Sequence, residues 1–124
     1  MWKFKEDHTL DERKKEVGKI ARFWPDKIPM VLEKFKNSRL DNIPKAKLLC
    51  PRTYSFFQFI SCLRTKLKLD SKQALYVFAN EKQLVTGDKS ILELYEECKD
   101  EDGFLYLKYC EHETLGCNYN LSSE

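Results

Sequence analysis

Between Ser55 and Leu67 the chain carries its strongest instruction for folding. Phe56, Phe59, Ile60, Leu63 and Leu67 recur at spacings of three and four, which gathers them on one face of a helix. Ser55 followed by Gln58 makes a capping box that starts this helix. One long apolar helical face needs a flat partner to bury it, and the segments around it read as short strands. Lys47 to Cys50 precedes it, closed by Pro51, and Leu75 to Ala79 and Phe104 to Cys110 follow, the last after the turn Asp102-Gly103.

The remaining elements fill in around this centre. Thr9 with Glu12 is a second capping box, opening a helix over residues 9 to 24 in which Leu10, Val17, Ile20, Ala21 and Trp24 share a face, and Pro25 stops it. Trp2 to His8 has room for one further helical turn. Ile28 to Leu32 is a strand, and Pro29, lacking an N–H, assigns it to a sheet edge or a bulge. A polar loop spans Lys36 to Ala46, Thr86-Gly87-Asp88 is a turn, and Ile91 to Cys98 a short helix. The order α-β-β-α-β-α-β fits an α+β fold: a ubiquitin-like β-grasp, with a four-stranded mixed sheet, the last strand lying between earlier ones, and an N-terminal helical extension. Residues 1–26 form the helical subdomain, 27–110 the β-grasp core and 111–124 a flexible C-terminal tail. At 124 residues this is one domain.

Charge and cysteine use narrow the function. Residues 1 to 62 carry 14 Lys and Arg against 8 acids, and residues 63 to 124 carry 8 against 12, so a net charge of +2 hides a basic half that is the natural docking side. A nucleic-acid binder shows a denser basic stripe and a higher pI than 8.2. Cys50, Cys62, Cys98, Cys110 and Cys117 are odd in number and lack C-x-x-C spacing, which indicates neither a disulfide framework nor a zinc site and fits a reducing, cytoplasmic compartment. The N-terminus has no signal-like apolar region, Trp2 excludes myristoylation, and no apolar run is long enough to span a bilayer. His8 and His112 lie in polar stretches near opposite ends, so a thiol enzyme has no evident base, and the chain reads as a non-enzyme without cofactor or metal.

The run Trp24-Pro25-Asp26-Lys27-Ile28-Pro29 resembles the Y-P-D-R-V/I-P segment of the autophagy-related protein 8 family, and Glu33-Lys34 its following E-K. Pro51, Gln58-Phe59, Arg64, Phe78, Asn80, Leu94-Tyr95-Glu96, Glu101-Asp102, Phe104-Leu105-Tyr106, Tyr109 and Gly116 match positions of the GABARAP and light-chain-3 proteins in order. The resemblance covers residues 3 to 116. Trp24 stands where the family has Tyr, Lys27 for Arg, Leu48 for Tyr or Phe, Cys62 for Leu, and Leu115 for the aromatic before the terminal glycine. Glu81 to Lys89 lacks the family's N-N-x-x-P-P.

The resemblance implies a ubiquitin-like modifier that binds aromatic-x-x-aliphatic motifs of cargo receptors and autophagy factors by adding them to the strand Lys47 to Cys50. It implies an aromatic pocket lined by Glu16, Ile20, Pro29, Lys47, Leu49 and Phe104, and an aliphatic pocket lined by Cys50, Pro51, Tyr54, Phe59, Cys62 and Leu63. Lys27, Lys45 and Lys66 would form a basic rim for acids flanking the motif. It further implies that a cysteine protease cuts after Gly116, removing Cys117 to Glu124. Activating and conjugating enzymes then join Gly116 to phosphatidylethanolamine, moving a monomeric cytoplasmic protein to the autophagosome membrane. A rival reading keeps the fold and groove without conjugation, as an interaction module in trafficking or on microtubules. Read without the resemblance, Phe59 and Leu63 serve equally as core, and the lysines as a solvated face.

Overall fold

The computed structural model describes residues 2–112. Its elements are α1 (Lys3–Asp7), α2 (Leu10–Phe23), β1 (Lys27–Lys34), β2 (Lys47–Pro51), α3 (Phe56–Lys66), β3 (Tyr76–Ala79), β4 (Gln83–Leu84), α4 (Ile91–Cys98) and β5 (Leu105–Cys110). Both capping boxes form: Thr9 and Glu12 open α2, and Ser55 and Gln58 open α3, each joined reciprocally through side chain and backbone. Such a cap is worth about 1 kcal/mol, so it fixes where a helix starts more than whether it exists.

The strands form one mixed sheet in the order β2-β1-β5-β3-β4. β5 lies in the middle, parallel to β1 and antiparallel to β3, as the β-grasp expectation required. The sheet has five strands rather than four. The extra one, β4, is two residues long and pairs Leu84 with Phe78 and Gln83 with Ala79. It follows a tight turn through Asn80 and Glu81, both at positive φ, where the Asn80 amide donates to the Cys98 carbonyl at 3.1 Å. No glycine marks that turn, which is why periodicity passes over it.

Burial on both faces organises the packing. On one face Ile28, Met30, Leu32, Val77, Ala79, Leu105, Leu107 and Tyr109 meet Phe56, Phe59, Leu63 and Leu67 of α3 and Ile91 and Leu94 of α4. On the other, Val31, Phe104 and Tyr106 meet Trp2 and Ile20, while Phe35, Phe78 and Cys110 form a smaller cluster. Alternate residues of a strand point to opposite faces, so β5 is buried at every position.

Two local expectations are corrected. Pro29 sits in β1, an interior strand, and not at an edge. The parallel ladder with β5 begins only at Met30, so the missing N–H of Pro29 falls before any partner that would use it. Ala21 and Trp24 are exposed, because α2 docks through a narrower stripe centred on Ile20 and Val17.

Polar contacts lock the N-terminal helices to the sheet. The Arg13 guanidinium donates to the buried Asp102 carboxylate at 2.6 Å, and that carboxylate also accepts from the Tyr106 hydroxyl and the Phe104 N–H. Glu33 accepts from the N–H groups of Lys3 and Phe4, and Lys5 pairs with Asp100 at 2.9 Å. Gly103, at φ +95, lets α2 approach so closely that an added Cβ would stand 2.7 Å from Val17 Cγ1. Gly103→Ala is therefore expected to lower unfolding free energy by roughly 1–3 kcal/mol through strain and overpacking. Urea denaturation checks this, and an unchanged midpoint would mean that α2 does not pack here as described.

Candidate functional site

The β2 edge is the one long edge of the sheet, since β4 at the other side is only two residues long. Its hydrogen-bonding pattern follows from the register. Leu32 N–H donates to the Ala46 carbonyl at 2.8 Å and Arg52 N–H to the Asp26 carbonyl at 3.0 Å, bracketing the antiparallel β1–β2 ladder. Alternation between those brackets turns the backbone groups of Leu48 and Cys50 toward β1 and those of Lys47 and Leu49 outward. Pro51 has no N–H to offer, and its carbonyl accepts from Tyr54 N–H at 3.0 Å. The outward groups of Lys47 and Leu49 are thus a short template for one further strand.

Side chains alternate as well, and so separate two surfaces. Lys47 and Leu49 lie on the α2 side, where Lys47 Nζ pairs with Glu16 at 2.7 Å and Leu49 is 38% exposed opposite Pro29. Ile20 is buried and Phe104 has no exposed surface at all, with Phe4 against its ring at 5.2 Å. The structure therefore groups Glu16, Pro29, Lys47 and Leu49 around the edge and places Ile20 and Phe104 beneath, in the closed cluster. A cleft of about 1050 Å³ opens beside them between α2 and the β1–β2 connection; Lys19, Ile43, Lys45 and Ala46 line it together with Glu16 and Lys47. Sequence reading missed Lys19, Ile43 and Ala46. Lys19 follows Glu16 by three residues on one helical face, a signal that was available.

On the α3 side Cys50, Phe59 and Leu63 belong to one buried cluster, with Leu48 and Tyr54 packed against it. Pro51 is half-buried and Cys62 exposed. Burial pushes the Cys50 thiol up to about 11, the nearby Cys62 thiol adds to this, and Lys27 opposes it. Cys50 is therefore an uncharged, apolar wall at neutral pH. Of the three rim lysines, Lys27 lies near Cys50 and Lys45 lines the cleft, whereas Lys66, exposed in the last turn of α3, belongs to neither group. Gly116 lies outside the described residues. Among the described residues no group of three or more His, Cys, Asp or Glu could hold a metal ion, and no helix is long and apolar enough to cross a membrane.

A mixed sheet with its last strand central, a core helix across one face and two helices added to the other defines a ubiquitin-like protein with an N-terminal extension. Comparison with known proteins gives the family. The family described as "Autophagy protein Atg8 ubiquitin like" matches residues 12–116. Autophagy-related protein 8e of Arabidopsis thaliana is 37% identical over 93% of this chain and 93% of its own. Human microtubule-associated protein 1 light chain 3 gamma is 37% identical over 92% of this chain and 78% of its own. The crystal structure of Trypanosoma brucei ATG8 superposes with a TM-score of 0.83 at 34% identity, covering 89% of this chain and 94% of that one. The chain belongs to the Atg8 family of ubiquitin-like autophagy proteins.

The Glu16–Lys47 pair gives a measurable signature. The hydrogen bond from Lys47 holds the Glu16 carboxyl below its ordinary range, against the opposing effect of partial burial. A folded-state pKa below the unfolded one means that the pair stabilises the protein above the ordinary Glu range and that this contribution is lost as pH falls through the depressed value. The pair is partly exposed, so its energetic effect is small. NMR titration should place the Glu16 midpoint below that of an ordinary Glu in the native chain and return it upward in Lys47→Ala. Equal midpoints in both proteins would show that the pair does not form.

Proposed function

We propose that this protein is a lipid-conjugated adaptor of autophagy. It is processed after Gly116, joined there to phosphatidylethanolamine, and recruits aromatic-x-x-aliphatic motifs of cargo receptors and autophagy factors to the autophagosome membrane. The observation that carries the reading is the β2 edge, with the outward backbone groups of Lys47 and Leu49 between two differently lined surfaces. Backbone pairing supplies affinity without reading sequence, and alternate side chains of the added strand enter the surfaces on either side of the edge, which supplies the reading. The aromatic residue is received near Glu16, Pro29, Lys47 and Leu49, above Ile20 and Phe104. The aliphatic residue is received among Cys50, Pro51, Tyr54, Phe59, Cys62 and Leu63. Because Phe104 is enclosed, an incoming ring is admitted by movement of the side chains above it, Phe4 among them. Lys27 and Lys45, beside the edge, attract acids flanking the motif.

Burying an aromatic side chain of about 150–200 Å² contributes at most roughly 4–5 kcal/mol before ordering costs, so micromolar affinity is the natural scale. Lys47→Ala combined with Leu49→Ala is expected to weaken binding of an acidic aromatic-x-x-aliphatic peptide by about tenfold or more, about 1.4 kcal/mol, by calorimetry. Unchanged affinity with an intact fold would remove this groove from the account.

The tail, residues 111–124, supplies the attachment point. Glycine presents its carbonyl without a Cβ, which suits the narrow active sites of the processing protease and of the activating and conjugating enzymes. Two acyl chains then hold the protein firmly, at about 0.8 kcal/mol per buried CH₂. Leu115, in place of the family's aromatic, is the feature that favours the rival reading of an unconjugated module in trafficking or on the cytoskeleton. Intact mass from the native cell separates the two. Conjugation gives a chain ending at Gly116 plus one lipid, and Gly116→Ala abolishes the lipid adduct with the fold unchanged. A full-length chain alone, under starvation as well, would establish the unconjugated module.

A further inference from the structure

Phe23 and Trp24, adjacent at the end of α2, are 65% and 53% exposed and are two of the four exposed large apolar residues among the described ones. Their exposure does not come from a frayed helix end. Trp24 N–H donates to the Ile20 carbonyl at 2.7 Å, and the Trp24 carbonyl accepts from Lys27 N–H at 3.0 Å. Asp26 carbonyl accepts from Arg52 N–H at 3.0 Å, and Pro25 carbonyl from Arg52 Nη1 at 3.2 Å. The backbone thus presents both rings outward in a fixed position.

The chain that carries the rings is cationic. Lys19, Arg22 and Lys27 lie in the same stretch of chain, where Asp26 is the lone acid from residue 18 to 28. The Arg22 guanidinium stands 5.5 Å from the Phe23 ring centre, and Arg52 is brought to Pro25 by its hydrogen bond. We propose that this end of α2 is a non-covalent contact site for an anionic lipid surface, with Phe23 and Trp24 entering the headgroup region and Lys19, Arg22, Lys27 and Arg52 facing lipid phosphates.

Two features favour a bilayer over a peptide. The carbonyls of Trp24, Pro25 and Asp26 and the N–H groups of Trp24 and Lys27 are engaged within the protein, so an extended peptide finds no ladder to join. Phe23 and Trp24 line neither the cleft beside Glu16 and Lys47 nor the one beside Arg39 and Tyr76, so the patch is separate from both. Amphipathic aromatic rings beside Lys and Arg are the side chains that partition into the bilayer interface, where anionic lipid adds attraction for each cation. Since β1 and β5 run parallel, the patch before Lys27 lies at the end of the sheet opposite Cys110. The contact does not depend on attachment at Gly116.

The test uses the full-length, unconjugated chain and vesicles of phosphatidylcholine with about 30% phosphatidylserine. Trp2 is buried, so a change in tryptophan emission reports Trp24. The native protein should sediment with these vesicles and shift its emission to the blue. Pairing Phe23→Ser with Trp24→Ser should reduce the bound fraction about tenfold with no change in melting temperature, and roughly 0.5 M salt should weaken native binding. Failure of the native chain to bind, equal binding by the double variant, or equal binding to uncharged vesicles would each overturn the proposal. Self-association in sedimentation velocity that the double variant abolishes, without vesicle binding, would overturn it in favour of a second copy of this chain.

Discussion

The parallel pairing of β1 with β5 is the constraint on which the rest of the molecule depends. Met30 to Lys34 lie beside Leu105 to Tyr109, and this pair sits between β2 and β3 with helices covering both faces. A parallel pair cannot be joined by a tight turn, so the intervening chain has to cross over, and it supplies α3, α4 and the β3–β4 hairpin on the way. Every residue of β5 is buried, which couples the α3 face to the α2 face through one strand. Stabilisation comes chiefly from this two-sided apolar burial, while the Arg13–Asp102–Tyr106 network and the Glu33 caps hold the N-terminal helices at one orientation.

With the centre occupied in this way, β2 is left at the margin, and the same alternation that builds the core divides its surroundings. Leu48 and Cys50 face α3; Lys47 and Leu49 face α2. An exposed edge is ordinarily a hazard for aggregation, and here it is short and carries a lysine and a terminal proline, which limit unselective pairing. Those restraints leave room for one short strand. The edge is therefore suited to a peptide of a few residues and unsuited to stacking copies of a sheet.

How much of this was legible in the sequence depended on whether one local rule acted alone. The capping boxes at Thr9 and Ser55 and the apolar stripe of α3 are local signals, and they placed α2 and α3 within a residue or so. Pro29 was misplaced because its tolerance depends on where the β5 ladder starts, which is not a property of its neighbourhood in sequence. β4 was missed because two residues after a glycine-free turn carry no periodicity. Trp24 read as part of the apolar face of α2, yet Pro25 and the turn into β1 leave it outside. At the site, family resemblance supplied the pocket residues. The enclosure of Phe104 beneath Phe4 could not have been read from it, because it depends on how α1 docks.

Amide hydrogen exchange along β2 tests the central claim most directly. In the free protein the N–H groups of Leu48 and Cys50 should be protected by their bonds to β1, while those of Lys47 and Leu49 exchange freely. Saturation with an acidic aromatic-x-x-aliphatic peptide should protect Lys47 and Leu49 as well, in the alternating pattern of an added strand. If the peptide binds and the Lys47 and Leu49 amides still exchange as they do in the free protein, the β2 edge is not where this protein receives its partners.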